Sequence, residues 1–340
     1  MLDRENPVPL YFQLTARLRK SILAGLQPGG AIPSERELCA QFQVSRITVR
    51  KALDELVSQG EVYKIHGKGA FKTRNPANHV RELVYVVYQT AMLTVPGREK
   101  TIRALTETAE RRGFHLVIKS FNAIAGNGGF CEFACRALHG GLLLSVQELA
   151  AAEIARIRQK KIPCVFMHHA ADYAVLSDYP EAGALAAGWV RQRNFRRIDL
   201  LLPPSRLPDV RAFQQGFIQA LPADAAVRTT TVGYDRSQAR DAVRRLLAGG
   251  ALPDAIVAGD DLLAAGAADA LAERNLRKKV ALSGVNDSYL ASELHFPSID
   301  LNAGEHARKA ADLLADLLDG NAPPPPCILK IPPQWKEHYP

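Results

Sequence analysis

The sequence predicts an α/β chain in two parts: a small α+β unit at the amino terminus, and a larger body of two lobes, each a doubly wound parallel sheet. Three observations predict it. Residues 34–60 carry two capped amphipathic helices in immediate succession. Residues 62–72 carry two short apolar runs around glycines, the pattern of a hairpin. From Leu83 onward, short apolar runs alternate with helix-period stretches to the end of the chain.

The first part is justified element by element. Pro9 to Gly25 reads as an opening helix with Tyr11, Leu14, Leu18 and Ile22 as its apolar stripe, and Pro28-Gly29-Gly30 is a loop. Ser34 and Glu37 form a capping box, so a helix starts just after Pro33 and carries Leu38 and Phe42 on one face. Val44 ends it in a turn, and Ser45 caps a second helix. There Val49, Ala52, Leu53, Leu56 and Val57 form one buried stripe, and Gly60 is the stop. The opposite face carries Arg46, Thr48, Arg50 and Lys51. Arg46 and Arg50 stack one turn apart at the positive end of the helix dipole. Val62-Tyr63-Lys64-Ile65 and Ala70-Phe71-Lys72 flank His66-Gly67-Lys68-Gly69, a hairpin with a small basic tip. Cations on a helix face are either a solvated surface or a polyanion contact. The joint order of capping box, basic second helix and basic glycine hairpin favours a major-groove reader with a tip that approaches phosphates or the minor groove.

These residues carry a resemblance. Pro9 to Lys72 resembles the GntR-type winged helix-turn-helix, through Pro33-Ser34-Glu35-Arg36-Glu37-Leu38, Val44-Ser45-Arg46-Ile47-Thr48-Val49-Arg50-Lys51-Ala52-Leu53 and His66-Gly67-Lys68-Gly69. The resemblance implies DNA contacts at Arg36, Arg46, Thr48, Arg50, His66, Gly67 and Lys68. Arginine pairs bidentately with guanine, so Arg46 and Arg50 are the expected base readers, with Arg36, Lys51 and Lys68 on phosphates. Ile47 stands where many relatives have a small polar residue: it either touches a thymine methyl or contacts no base.

Bulk properties agree with this division. The 340 residues suit two or three domains, and 47% hydrophobic with 23% charged residues is ordinary globular composition, which excludes a disordered or fibrous chain. Of the net charge of +8, residues 1–75 hold +5 (12 Lys and Arg against 7 Asp and Glu), and the remaining 265 residues only +3 (31 against 28). A polyanion-binding head on a near-neutral body has this distribution. No apolar run is long enough to span a membrane and no charged-then-apolar leader opens the chain, so a bacterial-type cytoplasm is expected. Five scattered cysteines (Cys39, Cys131, Cys135, Cys164, Cys327) do not make a secreted disulfide framework. No His or acidic partner stands at ligand spacing from Cys131 and Cys135, so no metal is expected.

Thr73 to Glu82 is polar and contains Pro76, and it reads as a linker; the expected domains are 1–74, a linker at 75–82, and 83–340. In the body, strands are expected at 83–88, 115–121, 141–146, 162–168, 174–177, 198–202, 228–232, 255–258, 280–285 and 327–331. Helices are expected between them, near 102–113, 148–161, 180–193, 210–221, 238–247, 262–274 and 304–318. About ten strands exceed one sheet, so two sheets of five to six strands, two lobes with a cleft between them, are expected. Ligands of such sheets sit beyond the carboxyl ends of the strands. The residues there are Gln89, Thr90, Ser145, His168, His169, Asp178, Asp260, Asp261, Asn286 and Asp287, a set that suits a sugar or polyol-like molecule. Several have a second reading: His168 and His169 as a plain strand end, and Asp178 and the Asp260–Asp261 pair as helix caps.

Leu83 to Lys336 also resembles the effector-binding domain of LacI-type repressors, akin to periplasmic sugar-binding proteins. The pieces are Val210-Arg211-Ala212-Phe213-Gln214-Gln215-Gly216-Phe217, residues 258–267 and Ser283-Gly284-Val285-Asn286-Asp287. The resemblance implies that Asp260 and Asn286 face the effector and that Asp178 matches the aspartate after the lobe-crossing strand. Phe213 stands where the family has its effector arginine, with Arg211 as its substitute or pointing elsewhere and the ring of Phe213 available for stacking. The effector set is thus Gln89, Ser145, Asp178, Arg211, Phe213, Asp260 and Asn286. The glycines at 126–129 lack a following Lys-Ser/Thr and are no phosphate-binding loop, and no catalytic string is present, so no catalytic residue and no cofactor are expected. The expectation is a ligand-responsive DNA-binding transcription regulator: a homodimer with one head on each half of a near-palindromic operator. The alternatives are a head fused to a cofactor-dependent enzyme and a DNA binder without a ligand.

Overall fold

Local caps and stripes form the head as expected. The computed structural model describes residues 2–4, 8–65, 68–73, 81–88, 93–121, 129–136, 140–147, 149–160, 162–204, 206–249 and 251–338. Helix α1 (Leu10–Ser21) runs into one 3-10 turn at Leu23–Gly25. Helix α2 (Glu35–Phe42) starts with the capping box: the Glu37 N–H donates to Ser34 Oγ at 3.3 Å and the Ser34 N–H donates to the Glu37 carboxylate at 2.7 Å. Gln43, in the left-handed region at φ 53°, reverses the chain, and Ser45 caps α3 (Arg46–Ser58) by accepting from the Thr48 N–H. Strands β1 (Val62–Ile65) and β2 (Gly69–Lys72) pair antiparallel from Val62–Lys72 to Ile65–Gly69. Residues 29–32 extend the hairpin, since the Ile32 N–H donates to the Ala70 carbonyl and the Lys72 N–H to that of Gly30. Leu14, Leu18, Leu38, Val49, Ala52, Leu53, Leu56 and Val62 close the head core. The hairpin tip residues His66 and Gly67, the linker residues 74–80, and the expected effector residue Gln89 lie outside the described residues, as do Thr90 and glycines 126–128.

The body follows as β3 (Glu82–Tyr88), α4 (Arg98–Arg111), β4 (His115–Phe121), α5 (Phe130–Arg136), β5 (Gly140–Ser145), α6 (Ala151–Gln159), β6 (Cys164–Phe166) and β7 (Tyr173–Ser177). It continues with α7 (Tyr179–Gln192), β8 (Arg197–Leu202), α8 (Pro208–Ala220), β9 (Ala226–Thr231), α9 (Arg236–Ala248), β10 (Ala255–Ala258), α10 (Asp261–Glu273) and β11 (Ala281–Val285). The chain ends with α11 (Tyr289–Glu293), β12 (Ser298–Asp300), α12 (Ala303–Leu318), β13 (Cys327–Ile331) and β14 (Gln334–Lys336). Two six-stranded sheets result, ordered β13-β7-β6-β5-β3-β4 and β14-β12-β11-β10-β8-β9. The pairs β3–β4, β3–β5, β5–β6, β8–β9, β8–β10, β10–β11 and β11–β12 are parallel, whereas β14 lies antiparallel on β12. The expectation of about ten body strands is corrected to twelve among the described residues. Strands β12 and β14 have three residues each, too few for a period to register. The expected strand 162–168 shortens to three residues, and α5 and α11, of seven and five residues, were not expected.

The chain divides into two compact units. One comprises residues 1–89, 105–174 and 308–328, the head together with the amino-terminal lobe; the other, the carboxy-terminal lobe, comprises 90–104, 175–307 and 329–340. In the carboxy-terminal lobe the period-2 alternation of the strands fills two cores. Leu201, Ile256, Ala258 and Leu282 meet α9, α10 and α11, while Leu200, Leu202, Val257 and Val285 meet α7 and α8. Helices α7 and α8 cross at glycines: a Cβ on Gly183 would stand 2.2 Å from the Phe213 carbonyl oxygen, and one on Gly216 2.1 Å from that of Pro180.

Candidate nucleic-acid interface and effector site

The start of α3 presents its side chains to solvent. Arg46, Ile47 and Arg50 are exposed, as are Arg36 on α2, Lys51, and Lys68 beside the hairpin tip. Ile47 is 71% exposed, so it contributes nothing to the head core and is the most exposed large apolar side chain among the described residues. Arg50 is held by Glu35, with Nη2 3.1 Å and Nε 3.3 Å from its carboxylate oxygens. That guanidinium, aided by the charges of Lys64 and Arg46, keeps the Glu35 carboxyl below its usual range. Thr48 is partly turned inward, its Oγ1 2.9 Å from Ser45 Oγ. The Lys51 ammonium stands 5.9 Å over the ring of Tyr11, and Lys64, in β1, pairs with Asp54 at 2.6 Å. The structure therefore brings Arg36, Arg46, Ile47, Arg50, Lys51 and Lys68 onto the head surface, with Thr48 supporting the turn.

The carboxy-terminal lobe gathers a second constellation at the carboxyl ends of β10 and β11. Asp260 is buried and uses both carboxylate oxygens: one accepts from the Leu262 N–H at 2.7 Å, capping α10, and the other accepts from the Asn286 amide at 2.8 Å. Its reading as a helix cap is thus observed, and its second oxygen ties it to Asn286. Burial outweighs these hydrogen bonds and lifts the Asp260 carboxyl to about 6. Its neighbour Asp261 faces the other way, accepting from Ser298 Oγ and the Ser288 N–H at 2.6 Å each, and burial lifts it to about 7. Ser298 Oγ in turn accepts from the Asp287 N–H at 3.0 Å. These bonds hold a strained turn, since Asn286 and Asp287 have φ of 100° and 48°. Lys100 pairs with Asp287 at 2.9 Å and His338 Nε2 lies 2.6 Å from its other oxygen.

Four residues join Asp260 and Asn286 that sequence reasoning did not single out. The phenols of Tyr179 and Tyr234 are pushed up, first by burial and then by the charges of Asp209 and Asp260; the Arg98 guanidinium acts on both phenols and on Asp260. These residues come from α4, α7, the β9–α9 turn and α8; Tyr179 and Tyr234, each just past a strand end, carried a positional signal, and Arg98 and Asp209 did not. The arrangement offers carboxylates, an amide, a guanidinium and two aromatic rings, which is the equipment for a hydroxyl-rich ligand with apolar ring faces.

Other expected effector residues are placed differently. Phe213 is buried in the core between α7 and α8, its ring stacked near that of Phe217 with centroids 6.4 Å apart, so the expected stacking role on a ligand is corrected to packing. Arg211 is exposed and donates to the Arg206 carbonyl within its own segment at 2.9 Å. Asp178 is the cap of α7, accepting from the Glu181 N–H at 3.2 Å. In the amino-terminal lobe, Ser145 Oγ lies 3.2 Å from His168 Nε2, and His169 Nε2 lies 2.9 Å from the Val146 carbonyl oxygen.

Comparison with known proteins follows the same division. Residues 10–71 match the family of bacterial regulatory proteins described as gntR, and residues 189–338 match a periplasmic binding protein-like domain. The HTH-type transcriptional repressor NagR of Bacillus subtilis is 42% identical over 74 residues, 22% of this chain and 30% of that protein. The arabinose metabolism transcriptional repressor of Geobacillus stearothermophilus is 33% identical over 120 residues, 35% of this chain and 33% of its own length. The chain thus spans about a third of the length of these curated relatives. Among solved structures, a LacI-family regulatory protein from Chloroflexus aggregans superimposes with a TM-score of 0.65 at 19% identity, covering 76% of this chain and 98% of that one. The transcriptional regulator CelR in complex with cellobiose superimposes with a TM-score of 0.67 at 20% identity, over 88% and 92%. The chain carries a gntR-type helix-turn-helix domain and a body of periplasmic-binding-protein-like fold.

Proposed function

We propose that this chain, a gntR-type head on a periplasmic-binding-protein-like body, is a DNA-binding transcription regulator whose operator affinity is set by a small hydroxyl-rich effector. The observation that carries the reading is the exposed start of α3, where Arg46 and Ile47 project from a Ser45-capped helix and take no part in the head core. Arg46, Ile47 and Arg50 stand together on one exposed helix start, and a major groove offers both guanine edges and thymine methyls. Arg46 and Arg50 read bases; Arg36, Lys51 and Lys68 hold phosphates, with His66 and Gly67 at the hairpin tip. The chain acts as a homodimer, one head per half of a near-palindromic site.

The effector contacts are Asp260, Asn286, Arg98, Asp209, Tyr179 and Tyr234 of the carboxy-terminal lobe. Relatives described as repressors of arabinose metabolism and of fructoselysine utilisation, and a structural neighbour described as bound to cellobiose, support a carbohydrate as the ligand class. Effector binding changes DNA affinity by a coupling of about 1–3 kcal/mol. The test is a thermal-shift panel of sugars and polyols on the whole chain, followed by DNA binding to genomic fragments with each hit. A sugar that raises the melting temperature and alters retention of a specific fragment supports the reading. Protein that retains no fragment at low salt overturns it.

A further inference from the structure

Helix α1 has two buried faces, and only one serves the head. Tyr11, Leu14, Leu18 and Ile22 face the head core and Thr15 Oγ1 donates to the Ala52 carbonyl there, but Phe12 and Ala16, four apart on α1, are buried as well on a second line that Val8, just before the helix, continues. What buries them is the amino-terminal lobe. Val8 lines a small cavity with Ile162, Phe166, Tyr173 and Leu317, beside the paired Arg158 and Asp172. Phe12 and Thr15 line another with Arg81, Phe114 and Leu318. A Cβ built on Gly320, just past α12, would stand 3.5 Å from the Ala16 Cβ. Polar groups frame this contact: the Lys20 ammonium donates to the Asn321 side chain, and Arg81 lies 3.8 Å over the ring of Phe114 while pairing with Asp319. Arg19, tied to Glu61 at 2.7 Å, adds its charge to the surroundings of Arg81.

We propose that this second face of α1 is a built seat for the amino-terminal lobe, and that it makes head and lobe one mechanical piece. A winged head joined only by its linker would leave Val8, Phe12 and Ala16 in water as one contiguous apolar strip. The seat uses the face of α1 away from the head core and leaves Arg36, Arg46 and Ile47 exposed, so seating and DNA reading are compatible. A change of state in the lobe then moves the reading helix through packed side chains.

Two measurements without DNA or effector test this, so their outcome is separate from that of the regulator reading. In the chain carrying Ala16→Cys and Gly320→Cys, mild oxidation joins the two introduced thiols, because the Cβ separation of 3.5 Å falls in the range of about 3.5–4.5 Å that a disulfide requires, and a melting temperature within a few degrees of the parent shows that a cysteine at the φ of 68° of Gly320 is accommodated. Adding Phe12→Asp slows this crosslink at least about fivefold, while hydrogen exchange of α3 amides keeps its protection, which shows the head still folded. Absence of the crosslink, or an equal rate with Phe12→Asp, overturns the seat. Calorimetry of Phe12→Asp alone, or of Ala16→Asp, is the second measurement. The parent melts head and lobe in one transition and the variants split it; identical thermograms overturn the proposal.

Discussion

Arg46 and Arg50 stand one turn apart on α3, yet they are not equivalent. Arg50 is held by the Glu35 carboxylate, whereas Arg46 is exposed at the dipole-positive end of the helix. Arg46→Ala should weaken specific DNA binding by about 1–3 kcal/mol, roughly tenfold to a hundredfold, with thermal stability unchanged; a titration of a retained fragment measures it. Asp260 and Asp261 make a second prediction at this scale. Their folded-state values, about 6 and about 7, lie above the ordinary 3.8, so between about pH 4 and about pH 7 the folded chain keeps protons that the unfolded chain has released. Their contribution to stability is complete below that window and is lost as pH rises through it. Denaturation curves from about pH 5 to about pH 8 should show falling stability, and Asp260→Asn should flatten the fall by about 1–3 kcal/mol; parallel curves would refute it. The arginines were legible in the sequence because spacing on one helix is local. The grouping of Arg98, Tyr179 and Tyr234 near Asp260 was not, because those residues come from segments far apart in the chain.

At the scale of elements, the helix crossings decide which glycines matter. Gly216 and Gly188 are both helical, but a Cβ on Gly216 meets the Pro180 carbonyl at 2.1 Å while one on Gly188 meets nothing within 4 Å. Gly216→Ala should cost about 3 kcal/mol, since backbone rather than a flexible side chain must move. Gly188→Ala should stabilise by about 0.5–1 kcal/mol by restricting the unfolded chain. Urea titrations of the two variants should thus shift in opposite directions. Boundaries with caps were readable: Ser34, Ser45 and Gly60 bracket α2 and α3 as expected, and β4, β10 and β13 match their expected ranges. Strands β12 and β14 escaped because three residues carry too little alternation, and they exist only because a sheet edge is there to receive them.

For the molecule as a whole, charge is concentrated where a polyanion would dock. If two heads each place Arg36, Lys51 and Lys68 on phosphates, affinity for the operator should fall about a thousandfold between roughly 50 and 200 mM salt. A nearly flat salt dependence would exclude those phosphate contacts, and sedimentation at the same protein concentrations should report a dimer. Order along the chain was enough to specify the helix-turn-helix head, its basic helix face and the alternating body, because caps, glycine stops and periodicity are free energies of neighbouring residues. It was not enough to place Phe213 in a core, to set Asp260 near two tyrosines and an arginine, or to give α1 a second buried face. Those outcomes rest on contacts between residues far apart in the chain, whose energies exist only once the sheets and helices have brought them together.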